Sequence, residues 1–310
     1  MARDPGRLGC AAESVQRGEP LRATASRVTR WLLIEQPGPW GREALLESRL
    51  EPRVAQTLRS KARRLKVRVV LIRRPTRERT ELRRAYLVRT QRTGSWAAGY
   101  EVASPEELEH LDLSVLDGVT PPPGAAPVDG TLRLVCTNGR HDPCCADWGR
   151  PVVRALVDAA EPDVWESSHV GGDRFAANVV FLPHGVYYGR VPPEHAARLV
   201  RDLDAGLLDL DHYRGRSCDQ PLVQAAEIFL REALGERRID ALEPRGGSTS
   251  GPDEATIAFV HEGEDLQVTV RREAGPPEHL TCTDHGESNP WQYRLVGIDG
   301  GRFGGGNSPP

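Results

Sequence analysis

The stretch of sequence that decides the fold is Leu132-Arg-Leu-Val-Cys136-Thr-Asn-Gly-Arg-His-Asp-Pro-Cys144-Cys145. The apolar run from Leu132 to Val135 predicts a short buried strand that ends at Cys136. A helical pattern begins directly after the cysteine pair. The stretch therefore predicts a strand, a loop and a helix, with two or three thiols facing the loop.

A second informative stretch follows, and it reads Trp165-Glu-Ser-Ser-His169-Val-Gly-Gly-Asp173-Arg-Phe-Ala-Ala-Asn178. It supplies His169, a borderline metal ligand, close to two adjacent glycines. Glycine adopts positive φ without steric cost and lets the backbone pass close to a bulky prosthetic group. The two stretches together predict a cofactor that is held between two loops.

The spacing of the cysteines indicates the kind of cofactor. Structural zinc sites usually contain cysteines two to four residues apart, whereas eight residues separate Cys136 from Cys145. A loop of this length is more typical of iron–sulfur clusters. The pattern therefore disfavours zinc at this pair.

The chain resembles the sucrase/ferredoxin-like family over most of its length, and the core of that family is a thioredoxin-like ferredoxin domain. The stretches that carry the resemblance are Trp31–Gly41, Cys136–Cys145, Glu166–Asn178, Tyr188–Val191 and Arg214–Cys218. The resemblance implies a [2Fe–2S] cluster held by two cysteines and by the two histidines of a His-x-x-x-His motif.

Carried onto this sequence, the resemblance places the cysteine ligands at Cys136 and Cys145, with Cys144 as a near-equivalent neighbour. The first histidine falls on His169, and Asp173 occupies the position of the second. Carboxylate is a hard ligand, whereas iron–sulfur clusters are held by thiolate, with imidazole as the known substitute. Three outcomes are open: Asp173 ligates a labile cluster, another residue supplies the fourth ligand, or no cluster binds. The other candidates for the fourth ligand are Cys144, Cys218 and Cys282.

The order of predicted elements indicates an α/β protein, in which a thioredoxin-like ferredoxin domain has an N-terminal α/β unit and a C-terminal α+β extension. The predicted divisions are an N-terminal domain at 1–125, a ferredoxin domain at 126–210, an extension at 211–299 and a disordered tail at 300–310. The first boundary rests on the four prolines between residues 119 and 127, which cannot continue a helix or a central strand. Both larger units begin with a strand and a helix, which indicates a repeated fold without sequence repetition.

The individual elements are predicted from hydrophobic periodicity and from turn residues. For the first unit we expect helices at 9–17, 42–49, 52–65 and 105–116 and strands at 31–35, 67–72, 84–89 and 95–102. For the second unit we expect strands at 131–136, 163–167, 177–183 and 186–191 and helices at 145–160 and 193–205. For the extension we expect a helix at 221–234, a hairpin at 256–260 and 266–270, and a strand at 291–298.

Length and composition exclude several classes of protein. Of the 310 residues, 38% are hydrophobic and 27% are charged, so the chain as a whole is not of the disordered class. The net charge of −3 argues against nucleic-acid binding. There is no apolar run of about 20 residues and no apolar region behind the N-terminus, so we expect no membrane partner and no signal peptide. The six cysteines are then thiols or ligands in a reducing compartment, and the predicted location is the cytoplasm.

Positive charge is concentrated in one stretch, because residues 53–84 contain thirteen Arg or Lys against two Glu. Two interpretations are open. The stretch is either a solvated helix face and strand edge or a docking surface for an acidic redox partner, since complementary charge steers transient encounters. The partner would be a reductase or an electron acceptor.

The predicted function is one-electron transfer through a [2Fe–2S] cluster, by an electron carrier rather than a stand-alone enzyme. One alternative is thiol redox chemistry at Cys144 and Cys145, because a helix N-terminus lowers the pKa of a thiol, although the sequence contains no Cys-x-x-Cys motif. A further alternative is a structural-metal protein without a cluster. Glycoside hydrolysis needs two carboxylates set across a sugar site, and no stretch singles out such a pair, so we expect no sucrase activity.

Overall fold

A ten-stranded mixed sheet runs through the first two units of the chain. The computed structural model describes residues 8–76, 82–284 and 286–303. The N-terminal elements are α1 (Cys10–Gln16), β1 (Arg30–Glu35), α2 (Pro52–Leu65), β2 (Arg68–Arg73), β3 (Arg83–Arg89) and β4 (Trp96–Val102). Helix α2 connects the parallel strands β1 and β2, whereas β3 runs antiparallel to β1, and β4 antiparallel to β3. The strand order in this unit is therefore β2-β1-β3-β4.

Helix α2 illustrates how local sequence forms these elements. It begins at Pro52, whose fixed φ suits the first helical position. The carboxylate of Glu51 caps the helix by accepting a hydrogen bond from the backbone N–H of Val54 at 2.9 Å. Val54, Leu58 and Ala62 recur at helical spacing, and all three are buried in the core that α2 forms against the sheet.

The second unit has the same topology. Its elements are β5 (Ala126–Pro127), β6 (Leu132–Cys136), α3 (Pro143–Asp158), β7 (Val164–Ser167), β8 (Val179–Leu182), β9 (Val186–Tyr188) and α4 (Pro193–Asp204). Strands β6 and β7 are parallel and are connected by α3, β8 is antiparallel to β6, and β9 is antiparallel to β8. The order β7-β6-β8-β9 matches the order β2-β1-β3-β4 of the first unit. The predicted α/β class and the repeated fold are both confirmed.

The two units join through β2 and β7, which pair antiparallel at their C-terminal ends, Ile72 opposite Ser167 and Arg73 opposite Glu166. The complete strand order is β10-β9-β8-β6-β7-β2-β1-β3-β4-β5, where β10 spans Tyr213–Arg216. The loops that follow the C-terminal ends of β1 and β6 also meet near this seam, because the side-chain amide of Asn138 donates to the carbonyl of Gly41 at 3.1 Å. The division into domains near residue 125 remains a prediction, and it falls within one continuous sheet.

The C-terminal extension adds a second sheet. Its elements are α5 (Pro221–Leu234), β11 (Glu243–Thr249), β12 (Glu254–His261), β13 (Glu264–Ala274) and β14 (Trp291–Asp299). The four strands form an antiparallel meander in chain order. Phe259 and Val268 on the sheet and Ala226 and Leu230 on α5 belong to one buried cluster, so the helix covers the apolar face of the sheet.

Several predicted elements differ from the observed ones. Residues 42–49 form turns instead of a helix, because side-chain and backbone groups of Glu47 bond the N–H groups of Arg42 and Gly41 and fold the segment back on itself. The helix predicted at 105–116 is two 3-10 turns, Pro105–His110 and Leu113–Asp117, interrupted where Leu111 and Asp112 leave helical geometry. Strands β5, β10 and β11 were not predicted.

The remaining predictions concern the ends of the chain and the membrane. The helix expected at 9–17 is confirmed as α1. Of the tail predicted to be disordered at 300–310, Gly301–Phe303 forms a 3-10 turn, and residues 304–310 lie outside the described residues. Within the described ranges, every helix is too short or too polar to cross a membrane.

Candidate metal centre

Cys136 and Cys145 are positioned by the junction between β6 and α3. Cys136 is the last residue of β6, and its backbone N–H donates to the carbonyl of Asn178 at 3.0 Å. Cys145 lies in the first turn of α3, for which Asp142 is the N-cap. A Cβ at Gly149, one turn further along, would overlap the carbonyl oxygen of Cys136. Glycine at this position therefore lets α3 approach the end of β6 and brings the two thiols together.

His169 and Asp173 lie in the loop after β7, and two glycines between them shape that loop. Gly171 and Gly172 have φ of +106° and +81°, which side-chain-bearing residues rarely adopt. A buried arginine, Arg214, holds the loop by donating to the carbonyl of Gly171 at 3.1 Å. Both positions are glycine because of the positive φ and because an added Cβ would overlap Ser26 at Gly171 and Arg214 at Gly172.

These two loops bring the predicted ligands into one group. The ligand atoms of Cys136, Cys145 and His169 all lie within 4.8 Å of one another. Asp173 joins them, because its Oδ1 accepts a hydrogen bond from the Cys145 thiol at 3.1 Å and lies 2.9 Å from His169 Nδ1. Cys136, Cys145 and Asp173 are buried, whereas the His169 side chain is 21% exposed. We call these four residues the first group.

The ring nitrogen Nδ1 of His169 is itself buried. Although it lies close to Asp173 Oδ1, it has no aligned hydrogen-bond partner among the described residues. Buried polar atoms in proteins are normally hydrogen-bonded. A metal ion bound at this nitrogen would complete its coordination once the ring has lost its proton.

His141, from the loop between β6 and α3, extends the first group toward solvent. Its ring stacks on that of His169 with 3.7 Å between the centroids and 15° between the planes. Its Nε2 lies 3.8 Å from Oδ2 of Asp173. From the sequence, its place in the first loop was the only signal for this residue, and the stacking comes from the tertiary fold.

The first group is electrostatically polarised. The contact with Cys145 holds the pKa of Cys136 well below its usual range, against the opposing effect of burial and with further help from His169. The same contact and burial raise the pKa of Cys145. Burial acts to lower the pKa of His169, but Asp173 and Cys136 beside it raise the pKa to about 9. Cys136 is thus the most acidic thiol of the first group, and an imidazole ligand must lose a proton before it binds metal.

Cys144 and the other candidate fourth ligands lie elsewhere. The Sγ of Cys144 lies 3.5 Å from that of Cys282, in a separate group with Cys10 and Asp142. Cys218 contacts its neighbour Asp219 instead. The pKa of Cys144 is not lowered as expected at a helix N-terminus: Cys10 acts to lower it, but Cys282 and burial raise it to about 12. Among the predicted fourth ligands, the fold brings only Asp173 to the first group within the described residues.

A cavity of about 260 Å³ opens in front of the two histidines. His141 and His169 line it together with Arg42, Arg59 and Arg68 of the first unit. Several arginines of the predicted basic stretch, Arg59 of the cavity lining among them, form ion pairs with carboxylates, and residues 77–81 lie outside the described residues. The ion pairs join Arg53 to Glu109, Arg59 to Glu43, Arg73 to Glu166 and Arg74 to Glu35.

The part of the chain that contains the first group is similar to known proteins. A model of the sucrase/ferredoxin-like family matches residues 21–215. Two crystal structures of cysteine-to-serine variants of the thioredoxin-like [2Fe–2S] ferredoxin from Aquifex aeolicus are similar to part of the chain. Each is 21% identical and covers 28% of this chain and 99% of the ferredoxin, with a TM-score of 0.25. None of the curated proteins that were compared matches the chain.

Proposed function

The chain belongs to the sucrase/ferredoxin-like family, whose model matches residues 21–215, and from this premise we propose that it is an electron-transfer protein. In this proposal Cys136, Cys145 and His169 bind a [2Fe–2S] cluster. One observation carries the proposal: two thiols and an imidazole, from the end of β6, the start of α3 and the loop after β7, converge within 4.8 Å.

The chemistry of these side chains fits an iron–sulfur cluster. Thiolate is the usual ligand of [2Fe–2S] clusters, and imidazole is the known substitute. Cys136 and Cys145 belong to an apolar core that contains Trp31 and Trp165, so their side of the site excludes water. The buried and unaligned Nδ1 of His169 supports a ligand role for that nitrogen.

We infer that Asp173 supplies the fourth ligand. Its side chain is only 4% exposed, and its Oδ1 lies within 3.1 Å of both Cys145 Sγ and His169 Nδ1. Burial acts to raise the pKa of Asp173, but the neighbouring His169 lowers it overall, so the carboxylate is the favoured form. The competing candidate is His141, which is 27% exposed and stacks on His169.

The two sides of the site have different tasks in this proposal. A bound [2Fe–2S] cluster supplies one-electron chemistry, at a potential that imidazole ligation raises above that of an all-cysteine cluster. Cys136 and Cys145 anchor the buried side against the core. His169 and the ring of His141 stacked on it form the side that faces the cavity, which gives an electron a route to the surface through the two rings.

We further propose that the redox partner docks over this cavity. Arg42, Arg59 and Arg68 line it together with one carboxylate, Glu43, so the rim around the histidines carries a net positive charge. Opposite charge on a partner accelerates encounter and orients a transient complex. The partner is therefore an acidic reductase or an acidic electron acceptor.

Thiol redox chemistry at Cys136 and Cys145 is the second candidate function. It is favoured by the contact between the two side chains and by the lowered pKa of Cys136, because the thiolate is the reactive form. Oxidation by a disulfide substrate would join the two sulfurs and transfer two electrons and two protons to that substrate. This chemistry and a cluster exclude each other, since both need the same sulfurs.

Anaerobic purification separates the two candidates. We expect brown protein with the iron and sulfide content of one [2Fe–2S] cluster per chain, and loss of both in Cys145→Ser. The matched control is Cys218→Ser, which alters a cysteine outside the site and leaves iron and sulfide unchanged. A colourless, iron-free protein after anaerobic reconstitution would overturn the cluster, and a reversible loss of two thiols in that protein would favour thiol redox chemistry.

Electron spin-echo spectroscopy of the reduced protein tests the fourth ligand. With Asp173 as a ligand, the spectrum shows coupling to one histidine nitrogen, and Asp173→His adds a second. His141→Ala leaves the wild-type coupling unchanged in this case. Two coupled nitrogens in the wild type, reduced to one by His141→Ala, would assign the fourth position to His141 instead.

A further inference from the structure

A second group of metal-binding side chains lies on the other side of the α3 N-terminus. It consists of Cys10 at the start of α1, Cys144 in the first turn of α3, Cys282 in the loop between β13 and β14, and Asp142. One ligand atom of each lies within 4.8 Å of those of the other three. Three cysteines that are far apart in the sequence therefore meet at one carboxylate.

The neighbouring cysteines Cys144 and Cys145 serve different groups. Successive residues of a helix point about 100° apart, because 3.6 residues complete a turn. Cys145 consequently faces Cys136 and Asp173, whereas Cys144 faces Cys282, with 3.5 Å between the two sulfurs. The second group thus has its own donors and shares none with the first.

Asp142 holds the second group together. Its side chain is fully buried, and its two oxygens accept the backbone N–H groups of Cys144 at 2.9 Å and of Cys282 at 2.6 Å. The thiol of Cys10 lies 3.6 Å from its Oδ2. No Lys, Arg or His within residues 8–76, 82–284 and 286–303 forms an ion pair with it. A buried carboxylate without a cation is costly. A cation bound beside Asp142 would compensate its negative charge.

We propose that Cys10, Cys144, Cys282 and Asp142 form a second metal centre, which binds one Zn²⁺ ion through three thiolates and one carboxylate oxygen. Structural zinc is tetrahedral and has four protein ligands. With Zn–S bonds of about 2.3 Å, the sulfurs of a tetrahedral site lie about 3.8 Å apart. The 3.5 Å between the sulfurs of Cys144 and Cys282 and the limit of 4.8 Å for all pairs match this spacing.

A disulfide explains the same residues less well. Its sulfurs must approach to about 2.05 Å, so Cys144 and Cys282 would have to move together. A bond between them would also leave Cys10 and the carboxylate of Asp142 without a role. A four-ligand ion accounts for all four side chains and provides the missing positive charge.

The zinc would fasten three separate segments to one another. Cys10, Cys144 and Cys282 share a small buried cluster with Ala176, so α1 and the loop after β13 both rest on the start of α3. Cys10 and Cys282 lie outside residues 21–215, which the family model matches. The second centre therefore depends on the two ends of the chain, and it stands independently of the proposed cluster.

Metal analysis of the full-length protein, purified without chelators, tests this proposal. We expect one zinc per chain in the wild type and its loss in Cys10→Ser and in Cys282→Ser. Iron content and visible absorption persist in both variants if a cluster is present, because neither residue belongs to the first group. Cys218→Ser is the matched control and retains zinc. Circular dichroism of each variant establishes that zinc is lost from folded protein.

Cobalt provides a readout of the ligands themselves. In Cys136→Ser, which removes any iron–sulfur absorption, added Co²⁺ should give thiolate-to-cobalt charge transfer and the intense bands of tetrahedral coordination. Adding Cys282→Ser to that variant should abolish them. Zinc-free wild-type protein with no tetrahedral cobalt signal would overturn the proposal. A mass lower by two hydrogens, with Cys144 joined to Cys282, would overturn it in favour of a disulfide.

Discussion

The two halves of the large sheet have one topology and use it for different purposes. In each half a strand, a helix, a parallel strand and an antiparallel hairpin follow one another, giving the orders β2-β1-β3-β4 and β7-β6-β8-β9. The first strand ends at Glu35 in one half and at Cys136 in the other. Glu35 bonds Arg74 and the backbone N–H of Arg84, whereas Cys136 faces Cys145 and His169.

The residue at the end of the first strand therefore has a different role in each half of the sheet. An ion pair there fastens the first half, and ligand side chains there form a site in the second half. The first half still contributes to that site, because Arg42, Arg59 and Arg68 line the cavity in front of the histidines. One half supplies the candidate ligands, and the other supplies the charged rim.

The largest expected effect comes from substituting the last residue of the first strand in each half. Cys136→Ser should remove visible absorption and iron completely, because the thiolate is lost, while the protein stays folded. Glu35→Gln should keep both and lower the free energy of unfolding by about 1–3 kcal/mol, since Arg74 and the backbone N–H of Arg84 lose a buried, charged acceptor. Iron analysis and urea denaturation of both variants measure this. Loss of iron in Glu35→Gln would show that the first half takes a direct part in the site.

The buried carboxylate of Glu227 connects the first half to α5, and its loss should have the next largest effect. It contacts Arg92, in the turn between β3 and β4, at 2.6 Å and Arg231 at 2.8 Å. Glu227→Gln leaves the buried Arg231 without a carboxylate partner and weakens the pairing of Arg92, which keeps Asp219 at 2.6 Å, and it should cost about 3–5 kcal/mol. The control is Glu232→Gln, also on α5, which breaks an exposed ion pair with Arg22. It should cost about 0–1 kcal/mol. Equal effects of the two changes would contradict a special role for the buried network.

The same carboxylate makes stability depend on pH. Burial acts to raise the pKa of Glu227, but Arg92, Arg231 and Arg216 lower it from 4.5 to about 2. Because the folded-state pKa lies below the unfolded value, this contribution to stability is present above pH 4.5 and is lost as the pH falls toward 2. Denaturation midpoints across this range should fall more steeply in the wild type than in Glu227→Gln. Parallel slopes would exclude Glu227 as the titrating group.

A smaller effect is expected where α3 touches β6. Gly149→Ala forces a Cβ against the carbonyl oxygen of Cys136, and overpacking of this kind costs about 1–3 kcal/mol. The helix must shift, which separates Cys145 from Cys136, so iron content should fall as well. Gly297→Ala, where nothing lies near the added methyl group, should change stability by less than about 0.5 kcal/mol. Unchanged iron content in Gly149→Ala would show that the helix approach does not position the site.

The smallest effect concerns the basic rim. Arg59→Ala should slow reduction of the protein by dithionite, an anion, about two- to threefold at low ionic strength, because steering by the rim is weakened. The difference should disappear at high ionic strength through screening. Arg63→Ala, on the exposed side of α2 and outside the cavity lining, is the control. An equal slowing in both variants would assign the effect to overall charge.

Local sequence signals were enough to predict the bounds of an element when residues at its two ends mark where it begins and ends. Helices α2 and α5 have the predicted bounds, Pro52–Leu65 and Pro221–Leu234, because each begins with proline and presents an apolar face at helical spacing. Strand β11, by contrast, is mostly exposed and has no alternation of polar and apolar residues. It exists through its pairing with β12, which no local pattern reveals.

In the candidate site, too, some features follow from local sequence and others only from tertiary contacts. The sequence by itself determined the α/β class, the family and the candidate ligands Cys136, Cys145 and His169, because their spacing and glycines are local features. Only the tertiary structure decided that Cys144 turns away from Cys145, that His141 stacks on His169, and that Cys10 meets Cys282. These contacts join residues up to 272 positions apart. Such contacts depend on how α1, α3 and the last sheet pack together, and packing of distant segments leaves no periodic trace in the chain.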